Sequence, residues 1–121
     1  MIDLVSTSTA DAQTARCARL LAAVISNAIM DAGQSFTQHE RKQRRMQKTA
    51  RQAIEWIFTP GTAFEAYANL IGLNHKHIRE ALLGTAPLRP TDKLLWSDQS
   101  RRNLQIRYRL FLSGDKGETV D

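Results

Sequence analysis

Apolar residues recur every three or four positions in the N-terminal part of the chain, which predicts a long amphipathic helix. Ser8 or Thr9 would cap this helix, Gly33 would end it, and residues 1–7 would be extended or partly mobile. Its apolar positions are Ala15, Ala18, Leu21, Ala22, Ile25, Ala28 and Ile29, widened by Leu20, Val24 and Met30. Because a helix this apolar needs cover on more than one side, we expect it to be the central helix of the fold, half of a dimer interface, or both.

A second helix is predicted from about 39–58, capped by Ser35 or Thr37. Its core-facing stripe consists of Met46, Ala50, Ala53, Ile54, Ile57 and Phe58. Thr59-Pro60-Gly61 would end it, since proline and glycine interrupt a helix. Trp56 lies just before this break and is expected to wedge into the core rather than to stack on a base.

Two short helices, about 62–71 and 74–83, are predicted on either side of Gly72. Ala68 lies four residues before the glycine, where a small side chain lets the second helix cross closely. Gly72 permits the left-handed backbone conformation of a tight turn. Ile78 lies six residues after the glycine and would point inward together with Leu82. Asn74 is expected to cap the second of these helices.

The spacing of Ala68, Gly72 and Ile78 resembles that of helix-turn-helix DNA-binding proteins, over about twenty residues. The resemblance implies a motif at about 62–84, in which helix 74–83 reads the major groove of duplex DNA. Residues expected to contact bases or phosphates are Asn74, His75, Lys76 and Arg79. Glu80 would project from the same helix. A second resemblance, carried by the run 53–57 with Phe64, Gly72-Leu73 and Ile78-Arg79, is to small proteins encoded in phages and prophages.

The C-terminal part gives a more ambiguous pattern. Gly84 would end helix 74–83, and residues 85–91, with two prolines, would form a loop. An apolar cluster at 92–96 would cover the core. Leu104, Tyr108, Phe111 and Leu112 then fit a helix capped near Ser97, although residues 104–110 also alternate as a strand does. We interpret this segment as helix, because a lone strand would have no partner, and residues 113–121 as a flexible tail.

The predicted fold is therefore all-α: a compact bundle of about five helices in a single domain, 1–112. The first helix could join two such domains into a dimer. No stretch is long and apolar enough to span a bilayer, and the N-terminus lacks the positive region of a secretory signal. We expect a cytoplasmic protein with no membrane association. Cys17, the single cysteine, is expected to be a buried structural thiol.

Charge adds a preference for a polyanionic partner. The chain carries a net charge of +5 and a pI near 9.9. Cations are concentrated on the predicted helix 39–58, and more follow the Gly72 helices. Those expected to contact the DNA backbone are Arg41, Lys42, Arg44, Arg45, Lys48, Arg51, Arg89, Arg101 and Arg102. On the last predicted helix, Arg107 and Arg109 would form a second basic surface together with Arg101 and Arg102. Like charges three and four residues apart repel one another, and a nearby polyanion would remove that cost.

Catalytic chemistry is not predicted, because the sequence shows no recognisable triad, phosphate loop or cofactor motif. A metal site is not expected either, since His75 and His77 do not share a helix face and no other ligands lie at a suitable spacing.

These patterns predict a sequence-specific double-stranded DNA-binding protein, a transcriptional regulator acting as a homodimer. One alternative is a phage-type interaction module that binds an acidic surface of a host protein, such as RNA polymerase. RNA binding is the third possibility, because arginine-rich helices suit RNA as well as DNA.

Overall fold

Every regular element in the part of the chain that the structure describes is a helix. The computed structural model describes residues 2–43 and 45–114, with side chains from residue 12 onward. The helices are α1 (Ile2–Ala32), α2 (Gln38–Gln43), α3 (Lys48–Phe58), α4 (Ala63–Leu70), α5 (His75–Leu83), α6 (Asp92–Leu95) and α7 (Asp98–Leu112). The all-α prediction is confirmed, although the described residues form seven helices rather than about five. Most of the predicted tail, residues 115–121, lies outside the described residues.

The first helix is longer than predicted. It begins at Ile2, so the expectation that residues 1–7 are extended is wrong for residues 2–7. No glycine or proline occurs before Gly33, and the helix therefore meets no residue that would interrupt it. Its 31 residues correspond to about 46 Å at the rise of an α-helix.

Among the residues of α1 whose side chains the structure describes, 12–32, the buried ones lie near the C-terminal end. Ile25, Ile29 and Ala32 are buried, and α1 packs against α3, α4, α6 and α7. All side chains from residue 12 to residue 17 are exposed. This range includes Cys17, so the prediction of a buried thiol is wrong.

The predicted helix 39–58 is two helices. Residues 45–47 are not helical and separate α2 from α3, while position 44 lies outside the described residues. The chain folds here around Glu40, whose carboxylate accepts hydrogen bonds from the backbone and side-chain nitrogens of Gln47 at 3.2 and 2.9 Å. This path buries Met46 completely, as the apolar stripe required. Thr37 and Glu40 cap α2 reciprocally, each side chain accepting from the other residue's N–H at 3.1 Å.

Helix α7 resolves the ambiguity between helix and strand. It runs from Asp98 to Leu112, and the Ser97 hydroxyl accepts from the N–H of Ser100 at 3.1 Å as the predicted cap. Its N-terminal turn passes very close to the end of α1. A Cβ added at Gly33 would lie 2.1 Å from the carbonyl oxygen of Ser100, so no other residue fits there without a shift of backbone. Glycine at position 33 thus serves the approach of α7 as well as the end of α1.

A single apolar cluster joins α1, α3, α4, α5 and α7, with the residues after α5 closing one side of it. Leu95 and Trp96 are buried there as predicted, whereas Leu94 is 84% exposed. Trp56 is half-buried and meets the rings of Phe64 and Tyr67 edge-on, at centroid distances of 5.6 and 6.0 Å. The core thus fixes α4 and α5 against the C-terminal end of α3.

Candidate nucleic-acid interface

The turn between α4 and α5 has the local structure that the sequence predicts. Gly72 adopts a left-handed conformation with φ of +80°, and the N–H of Leu73 donates to the carbonyl of Ala68 at 2.9 Å. Ala68 and Ile78 are both buried. The side-chain oxygen of Asn74 accepts from the N–H groups of Lys76 and His77 at 2.9 and 3.3 Å. These contacts confirm the predicted turn, cap and inward-facing residues of this pair of helices.

Arg79 does not project from α5 as expected. Its Nε donates to the carbonyl oxygen of Ile57 at 2.6 Å, and its guanidinium also donates to Glu65 at 2.9 Å and to the carbonyl of Thr59 at 3.4 Å. The guanidinium lies over the ring of Phe64, 5.2 Å from its centroid. Only 17% of the side chain is exposed. Arg79 therefore ties α5 to α4 and to the carbonyl end of α3, where a cation is favoured.

His75 is also held by neighbouring side chains. Its Nδ1 lies 3.2 Å from the side-chain oxygen of Asn69, and its Nε2 lies 4.0 Å from Glu65. The Arg79 hydrogen bond to Glu65 lowers the pKa of that carboxyl, against a smaller opposing effect of burial, and the charge of Arg79 adds to the lowering. Glu65 is thus the acid on which the Arg79 and His75 side chains converge.

The exposed charged residues of α5 are one cation and one acid, so its exposed face carries no net charge. Lys76 and Glu80 are exposed, and neither forms an ion pair with another described residue. A shallow groove of about 450 Å³ lies at the N-terminal end of this face, bordered by Gly72, Asn74 and Lys76. Of the residues predicted to contact bases, Lys76 is the one whose charge is free to meet a ligand.

His77 has a structural partner that the sequence pattern did not reveal. Its Nε2 lies 2.8 Å from a carboxylate oxygen of Asp92, a residue that is almost completely buried. The same oxygen accepts from the backbone N–H of Arg89 at 2.7 Å. This pair anchors the loop after α5 to the side of that helix.

The cations of α2 and the following residues are available, in contrast to Arg79. Arg41, Lys42 and Lys48 are exposed and Arg45 is half-buried. None of the four forms an ion pair with another described residue. Arg44 lies outside the described residues. We refer to residues 38–48 as the cationic segment.

The other arginines that were predicted to contact the DNA backbone differ in their surroundings. Arg51 pairs with Glu55 one turn later, at 2.8 Å. Arg101 is half-buried and donates to the carbonyl oxygen of Ala81 at 2.9 Å, at the end of α5. Arg89 and Arg102 are exposed. Arg51 and Arg101 thus have roles within the fold, whereas the other two present free charge.

Arg107 was predicted to lie on the second basic surface, and that prediction is wrong. The side chain is completely buried and donates to both carboxylate oxygens of Glu40, at 3.0 and 2.9 Å. The same guanidinium donates to the carbonyls of Ala32 and Gln34 at 2.9 and 2.6 Å. One signal in the sequence points to this burial, because Arg107 lies three residues after Leu104 and therefore within the apolar stripe of α7.

Among the described residues, exposed cations outnumber the exposed acids, which are Asp31, Glu80 and Asp98. Glu40, Glu55, Glu65 and Asp92 each face a basic side chain within the fold. Ten exposed cations, by contrast, form no ion pair with another residue of the described ranges. They are Arg16, Arg19, Arg41, Lys42, Lys48, Lys76, Arg89, Lys93, Arg102 and Arg109. Such a surface favours a polyanion over a neutral partner.

An apolar groove of about 470 Å³ lies on one side of α1. Ala18, Ala22 and Ala23 of α1 form one wall, and the residues around Ile71 and Leu94 form the other. A second groove of about 440 Å³ runs between α1 and α3, with Val24 and Trp56 in its walls. Within residues 12–43 and 45–114, no group of three or more His, Cys, Asp or Glu side chains is arranged to hold a metal ion. No described helix combines the length and apolarity needed to cross a bilayer.

Comparison with known proteins gives no match, whether with protein-family models, curated proteins or solved structures.

Proposed function

We propose that the protein is a sequence-specific double-stranded DNA-binding protein, acting as a transcriptional regulator, that holds the DNA backbone with the cationic segment. The observation that carries the proposal is the set of exposed or half-buried cations Arg41, Lys42, Arg45 and Lys48, none of which forms an ion pair with another described residue. Lysine and arginine side chains that neutralise phosphates supply most of the non-specific affinity of DNA-binding proteins. Arg89 and Arg102 would add peripheral phosphate contacts.

Sequence selectivity would come from the N-terminal end of α5. Lys76 is exposed there and can donate to a guanine edge or to a phosphate. Asn74 lies beside it, and its side-chain nitrogen would contribute a polar contact. The ring nitrogens of His75 face Asn69 and Glu65, and Arg79 ties the helix to α3 and α4. Because the open face carries one free cation next to Glu80, we expect modest selectivity per site. Two sites read by a dimer would raise it.

The test is binding to duplex DNA measured over a range of salt concentrations. We expect binding to random duplexes that weakens steeply with salt, and tighter binding to a subset of sequences. Equal affinity for double-stranded RNA would contradict selectivity for DNA and favour RNA binding. Failure to bind any nucleic acid at low salt would refute it.

The dimer would form through α1. Leu20 and Val24, one turn apart on α1, are exposed by 67% and 42%, and residues 12–17 of the same helix are also exposed. Leu20→Arg should convert a dimer to a monomer in sedimentation equilibrium. Leu112→Arg is the matched control, because Leu112 is equally exposed but lies on α7. A monomeric wild-type protein would contradict the dimer without affecting DNA binding.

A second candidate is a module that binds an acidic protein surface, such as a region of a host RNA polymerase. The observation that favours it is the apolar groove beside α1, where Leu94 is almost fully exposed and Arg19 contributes a cation. Exposed apolar surface rimmed by charge is typical of protein-binding sites. Leu94→Asp would abolish such binding and leave DNA affinity unchanged, which separates the two candidates.

A further inference from the structure

The cationic segment is too short and too highly charged to keep a stable conformation by itself. Helix α2 has six residues, far fewer than an isolated helix needs in water. Its exposed cations, Arg41 and Lys42, are adjacent in the sequence and lie within four positions of Arg45, and no ion pair within the described residues offsets their charge. The conformation of the segment must therefore be fixed by contacts with the rest of the protein.

Glu40 provides the fixed point. Its carboxylate accepts from the N–H of Thr37 at the start of α2, and from the N–H and side chain of Gln47 at the start of α3. Both ends of the segment thus meet on one buried acid. Because Glu40 faces inward, the next two residues of this short helix, Arg41 and Lys42, face the solvent.

Arg107 in turn fixes Glu40. It donates two hydrogen bonds to the carboxylate and further ones to the carbonyls of Ala32, Gln34 and Ser35 at the end of α1. The planar guanidinium suits such a paired arrangement, which a lysine ammonium does not reproduce. Arg107 and Glu40 are thus 67 positions apart, and Arg107 lies on α7, a helix that packs against α1, α3 and α5.

We infer that Arg107 is a positioning residue for polyanion binding, although it touches no ligand itself. Through Glu40 it presents Arg41, Lys42, Arg45 and Lys48 as a preformed surface, so that binding does not include the cost of ordering the segment. The assignment of the polyanion as duplex DNA rests on the proposed function. The control of the segment by Arg107 does not.

The experiment compares Arg107→Lys with wild type, since lysine keeps the charge but does not form the paired hydrogen bonds. Arg16→Lys is the matched control, on an exposed arginine of α1 that forms no ion pair with another described residue. Hydrogen exchange should show weaker protection in residues 38–48 of the Arg107→Lys protein, with α3 and α5 still protected. Affinity for random duplex DNA at about 0.1 M salt should fall about eightfold for each phosphate that the segment no longer neutralises, with a shallower salt dependence.

Gln47→Ala covers the case in which Arg107→Lys does not fold. It removes one tether to Glu40 and leaves Arg107 in place, so we expect a smaller change of the same kind. Unchanged protection of residues 38–48 in a folded Arg107→Lys protein, or in Gln47→Ala if the former is unfolded, would overturn the inference. So would opening of the segment with no change in affinity or salt dependence. If wild-type protein binds no duplex, the proposed function fails, and hydrogen exchange still decides whether Arg107 positions the segment.

Discussion

Removing two cations from α2 should reduce the number of neutralised phosphates without disturbing the fold. Arg41 and Lys42 are exposed and form no ion pair with another described residue, so Arg41→Ala with Lys42→Ala removes no internal ion pair that the structure shows. Alanine also has the highest helix propensity, which protects α2. We expect the free energy of unfolding of the double variant to stay close to that of wild type.

The expected change in DNA binding follows from counterion release. Each neutralised phosphate adds about 0.9 to the slope of log K against log salt, so the double variant, which neutralises two fewer, should have a slope lower by about 1.8. If the two binding lines meet near 1 M salt, wild type should bind about 60-fold more tightly at about 0.1 M salt. The reduction should be similar for every duplex sequence, because phosphates carry no sequence information directly.

The assay is fluorescence anisotropy with a labelled random duplex, from about 0.05 to about 0.4 M salt. Arg16→Ala with Arg19→Ala is the matched control, because it removes the same charge from α1. An unchanged salt slope in the Arg41/Lys42 variant would show that α2 does not contact DNA phosphates. An equal reduction in the control would show that overall charge, rather than the cationic segment, governs binding.

Two further predictions concern the buried and half-buried ion pairs. Arg79→Ala leaves the carbonyl of Ile57 without its hydrogen-bond donor, so urea denaturation should show a free energy of unfolding lower by about 1–3 kcal/mol, and the salt slope of DNA binding should not change. A changed salt slope in a variant of normal stability would show that Arg79 contacts DNA. Burial would raise the pKa of Glu40, but hydrogen bonds from Arg107, Thr37 and Gln47 outweigh it and hold the pKa below its ordinary value. The unfolded state therefore binds more protons in acid, so the stability from this group is complete above the unfolded pKa of about 4.3 and is lost as pH falls through the lower folded pKa. Denaturation at a series of pH values should show a smaller acid loss in Glu40→Gln, with Glu65 contributing part of what remains, and an identical pH profile would contradict this role of Glu40.

Features that depend on neighbours in the sequence could be predicted. Gly72, Asn74 and Ser97 each act within a few residues, through a left-handed turn or a cap, and each occupies its predicted place. The burial of Ala68 and Ile78 followed from helical periodicity in the same way. Local backbone geometry determines these positions, so a short stretch of sequence contains the information needed.

The environments of the arginines could not be predicted in this way. Arg79 lies 14 residues from Glu65 and 22 from Ile57, and Arg107 lies 67 from Glu40. The position of Arg107 in the apolar stripe of α7 indicates burial, but no residue near it in the sequence identifies Glu40 as its partner. The break between α2 and α3 has the same origin, because it depends on the Glu40 carboxylate rather than on a glycine or proline.

Selection of bound sequences from a random pool of duplex DNA is the experiment that decides whether α5 reads a DNA sequence. We predict that the wild-type protein enriches a short motif, and that Lys76→Ala loses this enrichment while it still binds random duplex. Binding without any enriched motif would contradict sequence-specific reading by α5. Recovery of no DNA at low salt would contradict the proposal that the protein binds DNA.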